Sequence, residues 1–307
     1  MKRVLCIYYS QSGQLTQILK NFTQPFEDSP EFEVTYAPIK PVNDYPFPWS
    51  GYEFFDSFPE SVKKVPCEIK PLEIEHEDFD LIVFAYTVWY IAPSIPANSF
   101  LLSDQAKRIF KGKPVITLLG VRNMWVVPQE YVKEKINELG GNLIGNIVLQ
   151  DRSRNITGII TISYFVFTGK KDRFLGFFPK PGVSEKDINN VSVFGSICKE
   201  HILNNSHNNL QDDLIKQKAV KINPYLVSLE KTAVRVFKIW SAFISKKGGY
   251  GDKKRKNRIL LFQIYFPIVI ILVAPVKYIF FLIFACFKIK KIKKEIEYYS
   301  QVKFSKK

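Results

Sequence analysis

The residues best placed to do chemistry stand near the start of the chain, in Ser10-Gln11-Ser12-Gly13 followed by Gln14 and Leu15. A continuous apolar run, Val4 to Tyr9, ends abruptly in this small polar cluster, and helical spacing takes over at Leu15, Ile18 and Leu19. An apolar run of this length bounded by turn residues suits a strand buried on both faces. A strand that delivers hydroxyls and a glycine to a helix start is how a chain builds an anion cradle. The first amides of the helix have no intrahelical partner, and the helix dipole adds partial positive charge there. Ser10 and Ser12 add hydroxyl donors, and Gly13 lets the backbone come close to a phosphate. The same residues also suit an ordinary helix cap, because serine is a favoured capping residue.

Two further loops matter if they open on the same edge. The apolar run 80–86 leads into Thr87-Val88-Trp89-Tyr90, and the run 114–119 leads through Gly120 into Arg122-Asn123-Met124-Trp125. Helical spacing at 16–26, 94–110, 128–139 and 185–203 alternates with strand-like runs at 32–39, 80–86, 114–119 and 143–149. Residues 157–168 read as a further apolar, β-rich segment. Alternation of this kind implies a parallel sheet with helices on both faces. Ligands of such sheets sit outside the carboxyl ends of the strands, where strand order reverses. All three loops are then expected at one site, a phosphate cradle beside two indoles and a phenol. Stacking of a flat ring on aromatic walls contributes about 1–3 kcal/mol per ring. Either tryptophan also suits the core. Arg122 would hold the electron-rich edge of such a ring, and Arg122 and Tyr90 are the candidate catalytic residues. Tyr86 and His76 are further candidates for a general base. No Gly-x-Gly-x-x-Gly follows the first strand, which argues against a dinucleotide site. The Pro- and aromatic-rich stretch 41–71, with a short helix expected from about Tyr52 to Lys64, is either a lid or a patch over a sheet edge.

Charge is distributed unevenly. Residues 1–150 hold 14 Lys and Arg against 18 Asp and Glu, whereas residues 246–307 hold 16 against 3, within an overall net charge of +15. A nucleic-acid reader is expected to carry its basic face on the folded domain, so no nucleic-acid partner is expected. Four cysteines without paired spacing and three scattered histidines predict a reducing, cytoplasmic setting and no metal site. Residues 206–245 read as a polar linker followed by an amphipathic helix, and 246–307 as a basic and apolar tail. Residues 259–287 are apolar apart from Gln263 and Lys277, and contain Pro267 and Pro275. As a helix they reach about 44 Å, beyond a bilayer core of about 30 Å. Both flanks are basic, which predicts attachment to an anionic membrane surface on the cytoplasmic face. A kinked hairpin and a tilted single span are both open.

The pattern Tyr-Ser-x-Ser-Gly after a first strand resembles the FMN-phosphate loop of flavodoxin-like proteins. That loop reads hydroxyl, any residue, hydroxyl, Gly, any residue, hydroxyl. Ser10, Ser12 and Gly13 match, whereas Leu15 stands where the last hydroxyl belongs and Thr16 follows one residue late. The resemblance implies a flavodoxin-like doubly wound parallel sheet in the order 2-1-3-4-5 over residues 1–205, with FMN as cofactor. It also implies that Leu15→Thr would leave FMN binding unchanged or strengthen it. A narrower likeness rests on Tyr8 to Leu15, Phe47-Pro48-Trp49, Phe58 to Val62 and Val121 to Trp125. These segments are similar to the bacterial dialkylresorcinol condensing enzyme family, and the likeness covers roughly residues 1–205. It implies an FMN-dependent aromatisation of an alkylated cyclohexane-1,3-dione, a hydrophobic substrate, supplied by a partner ketosynthase and acyl carrier protein. The step removes two electrons and two protons, which suits a flavin. A membrane-associated NAD(P)H:quinone reductase and a flavin-free scaffold for the ketosynthase are the alternative readings.

Overall fold

A computed structural model describes residues 1–151 and 155–304. Five parallel strands form one sheet in the spatial order β2-β1-β3-β4-β5. They are β1 (Lys2–Tyr8), β2 (Phe32–Pro38), β3 (Leu81–Tyr86), β4 (Pro114–Val121) and β5 (Asn142–Gln150). The order 2-1-3-4-5 and the parallel register establish the doubly wound, flavodoxin-like α/β fold. Order reverses between β1 and β3, so the crevice at their carboxyl ends is the expected ligand position.

Burial on both sides explains why the central strands are apolar without alternation. Leu5 and Ile7 of β1 and Ile82, Phe84 and Tyr86 of β3 face one helix layer. Val4, Cys6, Leu81, Val83 and Ala85 face the other. The first layer holds α4 (Ile95–Leu101), α5 (Asp104–Phe110) and α6 (Val126–Glu138). The second holds α1 (Gln14–Glu27), α8 (Glu185–Asn190), α9 (Ser192–Leu203) and α10 (Leu210–Lys216). Leu15, Ile18, Leu19, Phe22 and Phe26 of α1 are all buried, the one-sided stripe a core-facing helix needs. Helix α9 approaches α1 so closely that a Cβ on Gly195 would stand 2.0 Å from the Phe22 carbonyl oxygen. Leu210 and Leu214 of α10 are fully buried, so the stretch expected as a polar linker contributes to the core.

One element differs from expectation. Residues 157–168 are not a strand but belong to helix α7 (Asn155–Thr168). The segment is apolar around its whole circumference, so periodicity does not distinguish the two states, and Ile and Thr enrichment mimics a strand. Where one short helix is expected over about 52–64, the aromatic stretch forms two, α2 (Gly51–Asp56) and α3 (Phe58–Lys63). Ser50 opens α2 with a capping box: its hydroxyl accepts from Glu53 N, and the Glu53 carboxylate accepts from Ser50 N.

The C-terminal region comprises α11 (Pro224–Ser245), α12 (Lys256–Ala285) and α13 (Ile289–Ser300). Phe58 of α3, Phe237 and Ile244 of α11, and Ile259 and Phe262 of α12 form a third apolar cluster. Helix α12 continues through Pro267 and Pro275, so neither proline turns it into a hairpin. The turn comes at Lys288, whose φ of −111° and ψ of 14° depart from helical values. The run Lys253–Ser300 is long and apolar enough to cross a membrane by length and composition, and its most apolar window is unburied.

Candidate functional site

The carboxyl edge of the sheet carries a cavity of about 240 Å³. Ser12 and Gln14 reach it from the loop after β1, Thr87 to Tyr90 from the loop after β3, and Arg122 with Gly120 from the end of β4. Three loops separated by more than a hundred residues of sequence thus meet at the reversal in strand order. Two further walls close it: Phe47, Trp49, Phe54 and Ser57 from the aromatic stretch, and Ile162, Phe165 and Val166 from α7.

The first loop divides its labour. Ser10 Oγ accepts from Thr16 N at 3.2 Å, so Ser10 caps the first turn of α1. Gly13 adopts the left-handed φ of 79°, and a Cβ added there would have nothing within 4 Å, which leaves open space beside the first helical amides. Ser12 borders the cavity, whereas Gln11 and Gln14 are committed to neighbours. Gln11 Nε2 donates to Pro46 O at 2.8 Å, and Gln11 Oε1 accepts from Trp49 Nε1 at 3.1 Å, which ties the aromatic stretch to this loop. Gln14 Oε1 accepts from Val183 N at 3.1 Å, and Gln14 Nε2 donates to Val183 O at 3.4 Å. Leu15 is 3% exposed and points into the core beneath Gly120, where its Cδ1 would stand 3.6 Å from an added Cβ. The position that departs from the hydroxyl pattern is therefore a packing position here.

In the second loop, Thr87, Val88, Trp89 and Tyr90 all line the cavity. Thr87 Oγ1 is buried and has no hydrogen-bond partner among the described residues. Trp89 meets Tyr9, Tyr45 and Trp49 edge-on, with ring centroids 5.9, 5.1 and 5.5 Å apart. Tyr90 takes a positive φ of 48°, and its hydroxyl donates to Phe54 O at 2.6 Å. Burial holds the Tyr90 phenol well above its ordinary pKa. That phenol serves as a strut between the second loop and α2. Tyr86 lies in the core, where its hydroxyl donates to Gln129 Oε1 at 2.7 Å and burial again raises its pKa. His76 is exposed in the loop before β3.

The third loop splits. Arg122 lines the cavity, its pKa lowered by burial and supported by the Asp151 charge. Asn123, Met124 and Trp125 instead border a separate small recess that includes Glu230 of α11. Trp125 is 3% exposed and belongs to the core at the start of α6, so it forms no wall of the main cavity. The second indole is Trp49, from the stretch expected to be a lid or an edge patch. Its signal was the density of aromatics from Tyr45 to Phe58. The α7 wall had no signal, because that segment read as a strand.

Helix α2 joins this site to the tail. Phe54 lines the cavity and meets Phe167 of α7 at 5.6 Å between centroids. The next residue, Phe55, meets Phe262 and Phe266 of α12 at 5.7 and 6.0 Å. Apolar side chains therefore run without a break from the cavity wall to the exposed helix. Among the described residues, no cluster of three or more His, Cys, Asp or Glu is placed to hold a metal.

No family model matches the chain, and no curated protein does. Several solved structures are similar to it. A flavoprotein from Lactobacillus acidophilus, solved in complex with FMN, is 23% identical over 48% of this chain and 93% of its own, with a TM-score of 0.39. A flavodoxin-type, WrbA-like protein from Agrobacterium tumefaciens is 10% identical over 66% of this chain and 99% of its own, also at 0.39. Oxidised flavodoxin 1 from Bacillus cereus is 14% identical over 65% and 99%, at 0.36.

Proposed function

We propose that this chain is an FMN-dependent oxidoreductase at the cytoplasmic face of a membrane, which aromatises an alkylated cyclohexane-1,3-dione to a resorcinol. The observation that carries this reading is the convergence of Ser12, Thr87 and Arg122 on one cavity with an apolar far wall. The residues present fit FMN. The open space at Gly13 and the first amides of α1 suit its phosphate, with Ser12 as hydroxyl donor. Thr87 Oγ1, buried without a partner, suits a polar edge of the ring system, since a buried hydroxyl left unbonded is costly. Trp89 suits a wall for the flat rings.

When bound, FMN would accept a hydride and a proton, the two electrons and two protons that separate the dione from the resorcinol. Among the described residues that line the cavity there is no carboxylate or imidazole, and the Tyr90 phenol is spent on Phe54. That inventory favours a substrate that ionises by itself, which a 1,3-dione does through its central carbon. The half-buried Arg122 guanidinium, which lines the cavity, would hold the resulting enolate anion. The α7 wall and the apolar path to α12 suit alkyl chains that partition into a membrane. The dione would come from a partner ketosynthase acting with an acyl carrier protein, as the sequence resemblance implies.

The test is anaerobic addition of a dialkylcyclohexane-1,3-dione to the FMN-loaded full chain. Bleaching of the flavin band with release of one resorcinol per flavin is expected. Bleaching by NAD(P)H instead, with rapid turnover of a quinone, would replace this reading by a quinone reductase. A chain that takes up no FMN would leave only the scaffold.

A further inference from the structure

Helix α12 is bare on its outer side: Ile264, Ile271 and Leu272 are 64, 68 and 62% exposed, and Phe287 just beyond it is 84% exposed. Yet the helical run it belongs to is fastened to the folded body at three places. At its start, Arg255 pairs with Asp56 and Glu60, and Gln263 Nε2 donates to Gly51 O at 2.7 Å. At mid-length, Tyr225 of α11 donates to Ala274 O at 2.7 Å, and Lys277 Nζ donates to Ser228 O at 2.8 Å. After the turn at Lys288, Tyr298 donates to Glu130 Oε2 at 2.5 Å, Gln211 Nε2 donates to Ser300 O at 2.7 Å, and Lys231 meets Glu295 at 3.0 Å.

We propose that α12 lies flat in the headgroup–acyl boundary of one anionic leaflet, held parallel to the surface by α11, and that the chain does not cross the bilayer there. A spanning helix must place its two ends on opposite sides of about 30 Å of hydrocarbon. Here both ends are bound to the same folded body, and the middle is bound to α11, whose polar Ser228, Lys231 and Thr232 would have to follow it inward. Ala274, Lys277 and Phe281 face α11, and the remaining positions of the same turns expose apolar side chains between charged flanks, a surface that a lipid boundary would cover. Charge selects the partner. Lys253 and Lys254 precede α12 and Lys256 opens it, and Lys288, Lys290 and Lys291 follow its last apolar turn, all exposed. These clusters complement anionic headgroups. A second copy would instead set one basic flank against another.

The inference rests on the membrane reading of the tail and is independent of the flavin. Flotation of the full chain compares vesicles of phosphatidylcholine with vesicles about one-third phosphatidylglycerol, where roughly tenfold more protein is expected on the anionic ones. Equal binding to both overturns the anionic selection, and absent binding overturns membrane attachment, as does a soluble dimer that buries α12. Disposition is read from Lys247→Cys and Lys303→Cys, each in a Cys67→Ser/Cys286→Ser background, with an impermeant maleimide outside sealed vesicles. Modification of both sites supports the flat helix; protection of one shows a crossing and overturns it while leaving attachment intact. Ile271→Glu with Leu272→Glu, both exposed, is expected to leave the melting temperature in place and cut vesicle binding at least roughly tenfold. Unchanged binding by that folded variant overturns the contact surface.

Discussion

Arg255→Ala tests how firmly the tail is built into the site. Arg255 is fully buried, and the side chains of Asp56 and Glu60 are 4% and 14% exposed. Its Nε donates to Asp56 Oδ1 at 2.6 Å, and its two terminal nitrogens reach Glu60 at 2.7 and 3.1 Å. Further bonds run from Arg255 to Gly248 O and Asp56 O, and Gly251 N donates to Asp56 Oδ2. Truncation at Arg255 leaves two carboxylates with their counter-charge gone, and Asp56 keeps only the Gly251 amide from this set. Breaking a buried pair from one side costs about 3–5 kcal/mol, whereas exchanging the whole cluster for apolar groups is often neutral. At about 2–4 °C per kcal/mol for a large domain, the melting temperature should fall by about 6–20 °C. If the loss is local, the chain from Lys246 to Lys254 should become cleavable by trypsin at temperatures where the parent resists. FMN affinity should fall as well, because Phe54 and Ser57 of the disturbed segment line the cavity. Arg255→Met combined with Asp56→Asn and Glu60→Leu should recover most of the loss. An Arg255→Ala protein that melts within 2 °C of the parent (about the effect of 1 kcal/mol), resists trypsin and binds FMN equally would refute this account of the tail.

Two other outcomes follow from single buried groups. Burial pushes the Glu230 carboxyl up to about 8, while Val127 N donates to its Oε1 at 3.1 Å and its Oε2 has no partner among the described residues. A carboxyl with a raised pKa takes up a proton on folding, so its stabilising effect is complete below the unfolded value near 4.5 and is lost as pH rises towards 8. Glu230→Gln should flatten that slope and stabilise the protein above pH 8 by several kcal/mol, since each tenfold change in proton affinity is worth about 1.4 kcal/mol. Urea midpoints of both proteins between pH 5 and 9, the span bracketing that titration, provide the check, and parallel curves would count against it. Leu15→Thr, which the hydroxyl pattern alone suggests as an improvement, should destabilise by about 2 kcal/mol and add no FMN affinity, because Leu15 is core. Tighter FMN binding by this variant would show that position 15 faces the phosphate.

The sheet was legible because its central strands are buried on both faces and therefore apolar without interruption. Val4 to Ile7 and Leu81 to Tyr86 have no other comfortable conformation beside their turn residues. The edge on which the loops open followed from strand order, which brought Ser12, Thr87 to Tyr90 and Arg122 together. Individual side chains were less legible. Trp89 and Trp125 look alike in sequence, yet one lines the cavity and the other packs in the core at the start of α6. Trp49 and α7 were hidden for opposite reasons, the first inside a Pro-rich stretch with no regular pattern, the second inside a pattern with no polar face. The disposition of the tail was not in its hydropathy, which both a span and a surface helix satisfy. The proposed disposition rests on long-range partners such as Glu130 with Tyr298, which no local pattern announces.

The account stands on the phosphate cradle, and its most direct measurement is a pair of titrations of the full chain, one with FMN and one with riboflavin. FMN should bind at least roughly tenfold more tightly, since the two differ by the phosphate that Ser12, Gly13 and the first amides of α1 are placed to hold. Ser12→Ala should narrow that ratio without changing riboflavin binding. Equal affinities for the two ligands, or no binding of either, would contradict the cradle and return Ser10 to Gly13 to the role of a helix cap.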